Sequence, residues 1–444
     1  MTTPGQDFAL KTIKNRDVHF VRFWFTDVLG RLKSFAVIPS ELETAFAEGM
    51  GFDGNCVEGF GGAEESDMLA HPDASTFQVL PWRPSHDAVG RMFCDIYTPD
   101  HKHFEGDPRH VLRRVCEKAA KAGYVLNVGP ELEFFYFADK NSPTPLDNGG
   151  YFDLTSLDHA SDLRRDTILT LEKMGIPVEY SHHEAAPSQH EIDLRYSDAM
   201  SMADNVMTYK MVVKEVAMKH GVHASFMPKP IAGASGSGMH VHQRLFDLDG
   251  NNVFFDESDP GFLSPIARSY VAGLLKYAPE FSLLSNQTVN SYKRIGGEPN
   301  APRFVAWSRR NMQTLVRVPV YKMGKPVSCR IELRSPDPAA NPYLLFAAML
   351  AAGMKGIEDK LTLPDALEVA DVQGHSRDEL RAAGVQLMPE NLGEAIANFE
   401  KSELMREILG EGLHSFLVEY KRAEWKDYCN SVTPWELEHY LEEL

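Results

Sequence analysis

The chain has 444 residues, 43% of them hydrophobic and 24% charged, and a formal net charge of −18. That length permits two or three domains with a large core, while the acidic balance, with no basic run to offset it locally, opposes binding to nucleic acid or to an anionic membrane surface. Five scattered cysteines (Cys56, Cys94, Cys116, Cys329, Cys429) without a CxxC pair argue against disulfides and zinc fingers, and without an apolar run of about eighteen residues or a signal-peptide pattern the protein is expected in the cytoplasm.

Val18 to Phe25 alternates as a strand, Leu29-Gly30 supplies a turn, and Arg31 to Ile38 returns as a second strand, so a hairpin opens a small first domain. A short helix follows from Ser40 to Glu48. The stretch Gly51 to Gly62 holds five glycines, which let the backbone approach a ligand closely or make a plain mobile loop. Strands at Phe77 to Leu80 and Gly90 to Tyr97 complete this domain near residue 105. Asp107-Pro108 starts a helix that Gly123 stops, and further helices are predicted from about Asp162 to Gly175 and Ser197 to Gly221. Phe246 to Val253 lacks the terminal glutamate of a calcium loop and reads as a hairpin turn. The chain is helical again from Ser264-Pro265, and Asn341 to Lys360 is an Ala-rich helix expected to be buried. The tail from Thr433 to Leu441 has a good cap and an apolar stripe; it is expected to pack on its own chain, with docking on another subunit as the alternative. There is no internal repeat, Walker loop or dinucleotide fingerprint.

Between the helices lie strands that carry polar groups. In Gly129 to Phe135, Glu131 and Glu133 alternate, so both carboxylates leave one face of a strand that Phe134 to Phe137 continue. Two solvated surface glutamates would read the same way. Ser181-His182-His183-Glu184 and Gln189-His190-Glu191-Ile192-Asp193 then add two more glutamates and several imidazoles, and Gly236 to His242 and Cys329 to Arg334 repeat the period-two polar spacing. Four strands offering inward polar groups describe a site. Hard oxygen ligands with one or two histidines and no cysteine cluster suit Mg²⁺ or Mn²⁺. Arginines flanking a carboxylate suit an anionic phosphate, and together these imply metal-assisted phosphoryl transfer from a nucleotide.

With these motifs in order, the chain resembles the glutamine synthetase family, type I, over essentially its whole length. Phe52-Asp53-Gly54, Glu65-Ser66-Asp67-Met68, Gly129 to Phe135, His182 to Asp193, Phe226 to Pro230, Gly236 to His240, Asn290 to Arg294 and Arg330 to Leu344 match in sequence and order. The resemblance implies an α+β fold, with an N-terminal β-grasp-like domain (1–105) followed by a catalytic domain (106–444) whose antiparallel sheet is lined by helices. It also implies a homo-dodecamer of two stacked hexameric rings, with sites between neighbouring subunits and the C-terminal helix reaching into the opposite ring. By the same resemblance, Glu133, Glu184 and Glu191 hold the metal on the glutamate side, and Glu131, His240 and Glu332 hold the metal on the ATP side. Arg294 holds the substrate α-carboxylate beside Gly236, Arg317 and Arg334 face the phosphates and γ-carboxyl group, and Tyr196, His242 and Arg330 border ATP; core packing is the other role open to Tyr196. L-glutamate's γ-carboxylate attacks the γ-phosphate of ATP, and an amine or ammonium, deprotonated with help from Asp53, takes the acyl phosphate.

Departures from the family pattern cluster near the second step. The family's Asp-Gly-Ser-Ser reads Asp53-Gly54-Asn55-Cys56, so a thiol replaces a hydroxyl. In the flap, Asn300 stands where a glutamate closes over ammonium, unless a two-residue shift brings Glu298 there. Met312 stands where a phosphate-facing arginine is usual, and an arginine often seen near Gly61 to Glu65 is absent. A smaller polar cage with room for an alkyl group favours a γ-glutamylamide ligase acting on a primary amine. Glutamine synthesis from ammonium and a catalytically weak regulatory assembly are the alternatives.

Overall fold

The computed structural model describes residues 3–60, 67–297, 301–372 and 375–444. The chain begins with a helix that the expectations omitted, α1 (Pro4–Asn15), although its signal is present: Thr3 and Gln6 form a reciprocal capping box around Pro4 in the first turn. The predicted hairpin follows as β1 (Val18–Thr26) and β2 (Leu32–Val37), then α2 (Leu42–Glu48), β3 (Met50–Asp53), β4 (Asp67–Pro72), β5 (Gln78–Val79) and β6 (Ala88–Tyr97). These strands form one sheet in the order β2-β1-β6-β4-β3, with β5 on β6. Only the β1–β6 pair in it is parallel.

The second sheet has nine strands: β7 (Tyr124–Phe137), β8 (Val178–His183), β9 (Gln189–Leu194), β10 (Ser197–Asp198), β11 (His223–Ser225), β12 (Met239–Asp247), β13 (Phe304–Ser308), β14 (Thr314–Arg317) and β15 (Ile331–Leu333). Its main path runs β13-β14-β15-β12-β7-β9-β8, with the long β7 near the centre because its residues are apolar on one face and polar on the other. One edge departs from the antiparallel expectation, for β13 and β14 run parallel. The Ser308 hydroxyl accepts the Arg310 and Asn311 N–H groups and turns the chain back beside itself there.

Helices α3 (Pro108–Lys121), α4 (Ser161–Lys173), α5 (Ala199–Lys219) and α6 (Pro265–Ser285) lie against this sheet; α7 (Val289–Gly297) follows α6, and α8 (Pro342–Glu358) packs on α3, α5 and α6. The Ala-rich α8 is buried as expected, and it crosses α6 closely because a Cβ added at Gly273 or Gly356 would strike the facing helix backbone. The remaining helices are α9 (Val369–Val372), α10 (Arg377–Ala382), α11 (Leu392–Glu400), α12 (Glu403–Leu409), α13 (Glu411–Asn430) and α14 (Pro434–Tyr440). The expectation that the tail packs on its own chain is corrected, since α14 buries no residue and leaves Trp435 56% exposed. Its seven residues include an apolar stripe that none of the described residues buries.

Several contacts hold the sheets together, and two sit at the seam's turning points. The turn after β1 meets the start of α8, where the Asn341 amide donates to the carbonyls of Asp27 and Val28 and Gly30, at φ +78°, lies against the Asn341 backbone. Deeper in the seam, the buried Arg109 guanidinium donates to Asp204 at 3.1 and 3.0 Å, to Asp95 at 2.6 Å and to Asp73 at 2.8 Å, and Tyr343 donates to the same Asp204. One cation thus neutralises acids from both sheets' neighbourhoods.

Removing that cation leaves the buried Asp204 without its countercharge, while Asp95 keeps Arg113, so Arg109→Leu is expected to lose about 3–5 kcal/mol of stability, read as a lower urea midpoint. The next residue, His110, lies flat on His103 with ring centroids 4.3 Å apart. Burial, His103 and the Arg114 charge push its pKa down to about 4. The unfolded chain therefore takes up a proton that the folded chain refuses as pH falls from about 6.5 towards 4, and stability drops over that window. His110→Phe should flatten this part of the acid-unfolding profile, measured as Tm against pH.

Candidate active site

The polar strands meet because their registers place functional residues directly opposite one another. Across one row, Tyr180 on β8 faces Asp193 on β9, Asp193 faces Glu131 on β7, and Glu131 faces His240 on β12. The next row sets His182 opposite Glu191 and Glu191 opposite Glu133. On the other flank Arg317 faces Glu332, and Glu332 faces His242. Directly opposed side chains share a face at Cβ separations of about 5 Å, so three registers assemble the site.

They line a cavity of 570 Å³ that holds Glu131, Glu133, Glu184, Glu191, Gly236, His240, His242, Arg294, Arg317, Arg330, Glu332 and Arg334, together with Tyr151, Tyr180, His182, Gln189 and Met312. Two groups within it offer ligand atoms lying within 4.8 Å of one another: Glu131, His240 and Glu332, and His182, Glu184 and Glu191. The first is the expected trio. In the second, His182 joins Glu184 and Glu191, with its ring nitrogens 3.5 Å from each carboxylate. Glu133 stands in the same cavity, where its Oε2 accepts from Gln189 Nε2 at 2.8 Å and from the Gly238 N–H at 3.0 Å. The Gln189 amide also donates to the Gly236 carbonyl at 2.9 Å, tying Glu133 to that loop.

Charge is compensated unevenly. Glu332 is buried but sits between Arg317, at 2.8 Å, and Arg334; against the cost of burial, the charges on Arg334 above all, then His242 and His240, hold its carboxyl below the usual range. Burial likewise opposes ionisation of Glu131, but His242 at 2.5 Å and His240 at 3.6 Å draw its pKa down. On the other side the His182 imidazole lies between Glu184 and Glu191. Burial, then Asp193, Glu133 and Glu131, nevertheless drive the Glu191 pKa well up, and burial and Glu131 raise Asp193 to about 7 against its contacts with Glu191 and Tyr180. Both Asp193 oxygens are buried. A set of hard oxygens with surplus negative charge fits a divalent cation such as Mg²⁺ or Mn²⁺.

Arg294 is 3% exposed and clamped by the carbonyls of Arg334, Ser335 and Pro336, and Gly238 leaves room for its guanidinium. Tyr196 adjoins the cavity in a narrow cleft shared with Glu131, Tyr180, His242 and Arg330. The Arg244 guanidinium lies 4.1 Å above its ring, and Arg330 donates to His242 Nδ1 at 3.3 Å. Asp53 is elsewhere. It sits at the edge of the first sheet, in a groove with Glu48, Asp67 and His101, where it caps the Asn55 N–H at 2.9 Å and takes the Cys56 thiol at 3.9 Å. Glu298, Asn300 and the segment Gly61 to Glu65 lie outside the described residues.

The motif analysis passed over His182, Gln189, Tyr180, Asp193 and Tyr151 as site residues. Period two carried a signal for four of them, since Tyr180 and His182 alternate on β8 and Asp193 follows Glu191 by two. Gln189 shared that signal, two residues before Glu191, and Tyr151 had none. The outward neighbours His183 and His190 meet on the opposite face with Asp147, in a buried network closed by Arg164 and Asp158.

Family models describe residues 17–99 as "Glutamine synthetase, beta-Grasp domain" and 105–440 as "Glutamine synthetase, catalytic domain". Proteins named glutamine synthetase from Mycolicibacterium smegmatis and Mycobacterium tuberculosis are each 51% identical over 98% of this chain and 99% of their own length. One from Methanosarcina mazei is 48% identical over 98% of this chain and 97% of its own. Among solved structures, "GmaS/ADP complex-Conformation 1" superposes with a TM-score of 0.87 at 30% identity, covering 98% of this chain and 99% of that one. "Apo GmaS without ligand" superposes with a TM-score of 0.85 at 30% identity, covering 100% of both chains. Sheets, cavity and relatives agree: the chain belongs to the glutamine synthetase family and is an ATP-dependent ligase of glutamate.

Proposed function

We propose that this ligase joins the γ-carboxylate of L-glutamate to a small primary amine through γ-glutamyl phosphate, and so acts as a γ-glutamylamide synthetase. The reading rests on the Asp53–Cys56 pair. An ammonium ion offers four donors and no apolar body, so a site specific for it needs a full polar cage. At 3.9 Å a thiol is a weak partner beside the carboxylate, so the polar cage is incomplete on that side. Met312 adds an apolar side chain to the cavity wall. Likeness to GmaS, a γ-glutamylmethylamide synthetase, supports the same assignment. Relatives at 51% identity named glutamine synthetase favour the second reading, in which ammonium is the acceptor.

In this scheme Glu131, His240 and Glu332 hold one divalent cation, and Glu133, Glu184 and Glu191, with His182 beside them, hold another. Such ions supply charge neutralisation to phosphoryl transfer. Arg294 receives the α-carboxylate of glutamate near the Gly236 backbone. Arg317 and Arg334 present guanidinium groups to the phosphate and γ-carboxyl oxygens, where fixed donors favour the more charged transition state. Tyr196, His242 and Arg330 border ATP. Asp53, with Glu298 or Asn300 from the flap, accepts hydrogen bonds from the ammonium form of the amine and favours loss of its proton. Because Asp53 stands outside the cavity of its own chain, a neighbouring copy supplies it, in keeping with a homo-dodecamer of two hexameric rings.

Phosphate release from ATP with glutamate and a panel of ammonium, methylamine, ethanolamine and a polyamine tests the reading; an amine is expected to be preferred at low concentration, and preference for ammonium would give the second reading. Glu332→Gln and Glu191→Gln should each lower kcat by about 100-fold or more and raise the Mg²⁺ or Mn²⁺ concentration needed for half-activity. Chelation of divalent ions should abolish release, and readdition should restore it.

A further inference from the structure

Beside the catalytic cavity runs a second depression, a groove of 360 Å³, and the two share Tyr180 and His182 in their walls. Phe152, Leu154 and Tyr180 give it an apolar strip, set among polar side chains such as Asp153, Thr155 and Ser161. Phe152 is 58% exposed, Leu154 79% and Tyr180 51%. Large apolar groups so displayed beside a polar site are commonly surfaces for a ligand or partner. The rings are also ordered around one residue. Phe152 meets the His182 ring edge-on at 4.8 Å, and Tyr180 stacks near it at 5.8 Å.

The backbone holds Phe152 in place against its own preference. Its φ is +64°, in the left-handed region that a bulky residue rarely enters, and its N–H is tied to the His183 carbonyl at 3.1 Å. Strain of this kind persists where surroundings over-determine it, and it gathers at ligand sites. The charge around the groove is graded. Arg164 is neutralised by Asp158, while Asp153 forms no ion pair among the described residues. On the cavity side, Glu184 and Glu191 flank His182.

We infer that this groove receives the alkyl part of the acceptor amine. The carbon chain lies along Phe152, Leu154 and Tyr180, and the ammonium end reaches into the shared cavity, where the neighbouring copy's Asp53 accepts its hydrogen bonds. Aromatic faces attract alkylammonium as well as alkyl groups, so one surface suits both parts of such a ligand. Bare ammonium gains nothing from it. The occupant is thus a primary amine with a chain of several carbons, an inference that rests on the amide-ligase reading above and specifies its substrate class.

The test uses Phe152→Gly in the full-length protein, because glycine adopts φ +64° without strain and removes only the ring. Phosphate release is measured with n-butylamine and with ammonium as acceptors. The ratio of kcat/KM for butylamine over ammonium is expected to fall roughly tenfold or more, and Leu154→Ala should lower it in the same direction. An unchanged ratio in both variants, with butylamine still used, would overturn the groove assignment and leave the amide-ligase reading standing. Wild-type protein that uses ammonium and no amine would overturn both. If Phe152→Gly loses its assembly on size-exclusion chromatography while the ratio holds, the aromatic face is a subunit contact and the inference fails.

Discussion

Carboxylates set side by side across adjacent strands repel one another, and the catalytic sheet is organised around that repulsion. Glu131, Glu191, Glu133 and Asp193 occupy opposed positions on β7 and β9, where no rotamer can carry them far apart. On the β12 and β15 side the chain answers with its own cations, for His240 and His242 approach Glu131, and Arg317 and Arg334 grip Glu332. On the β8 and β9 side His182 alone stands between Glu184 and Glu191 among the described residues. Glu191 and Asp193 are driven towards their protonated forms. Surplus charge at one end and fixed guanidinium groups at the other give the cavity a direction, with cations favoured at the first and phosphate or carboxylate oxygens at the second.

That arrangement is costly, and the rest of the fold carries the cost. The sheet lies against a thick apolar layer in which α8 is buried almost throughout and crosses α6 at glycine contacts. The buried histidines His183 and His190 on the far face are tied into Asp147, Arg164 and Asp158 rather than left open. Arg109 performs the same service at the seam, collecting acids from the ends of β4, from β6 and from α5 around one guanidinium. Since Asn341 also caps α8 while it binds the turn after β1, the first sheet is positioned by the helix that supports the second. Asp53 consequently sits at a fixed edge, facing away from its own cavity, and its place in the proposed chemistry depends on a neighbouring copy.

Much of this was legible in the order of residues. Proline-led caps marked the starts of α3, α6 and α8, glycines marked ends, and alternation marked β1, β7 and β9 as strands with one polar face. Local signals of that kind depend on neighbours within a few positions, so the sequence carries them openly. Where a cue was slight it was missed, as with the Thr3–Gln6 box that starts α1. The tail shows the opposite limit. Its cap and apolar stripe are real, yet the stripe stays unburied among the described residues.

By itself the sequence determined which residues have carboxylates, imidazoles and guanidinium groups to offer, and that period two turns each strand's set to one face. Only the tertiary structure decided which of them meet. His182 joins Glu184 and Glu191 because β8 pairs with β9 in one register, and a slip of one residue would have brought His183 there instead. Gln189 reaches both Glu133 and Gly236 because a distant loop passes over the sheet at that point. Pairing between segments far apart in the chain is settled by packing of the whole core, and no window of neighbouring residues contains that information.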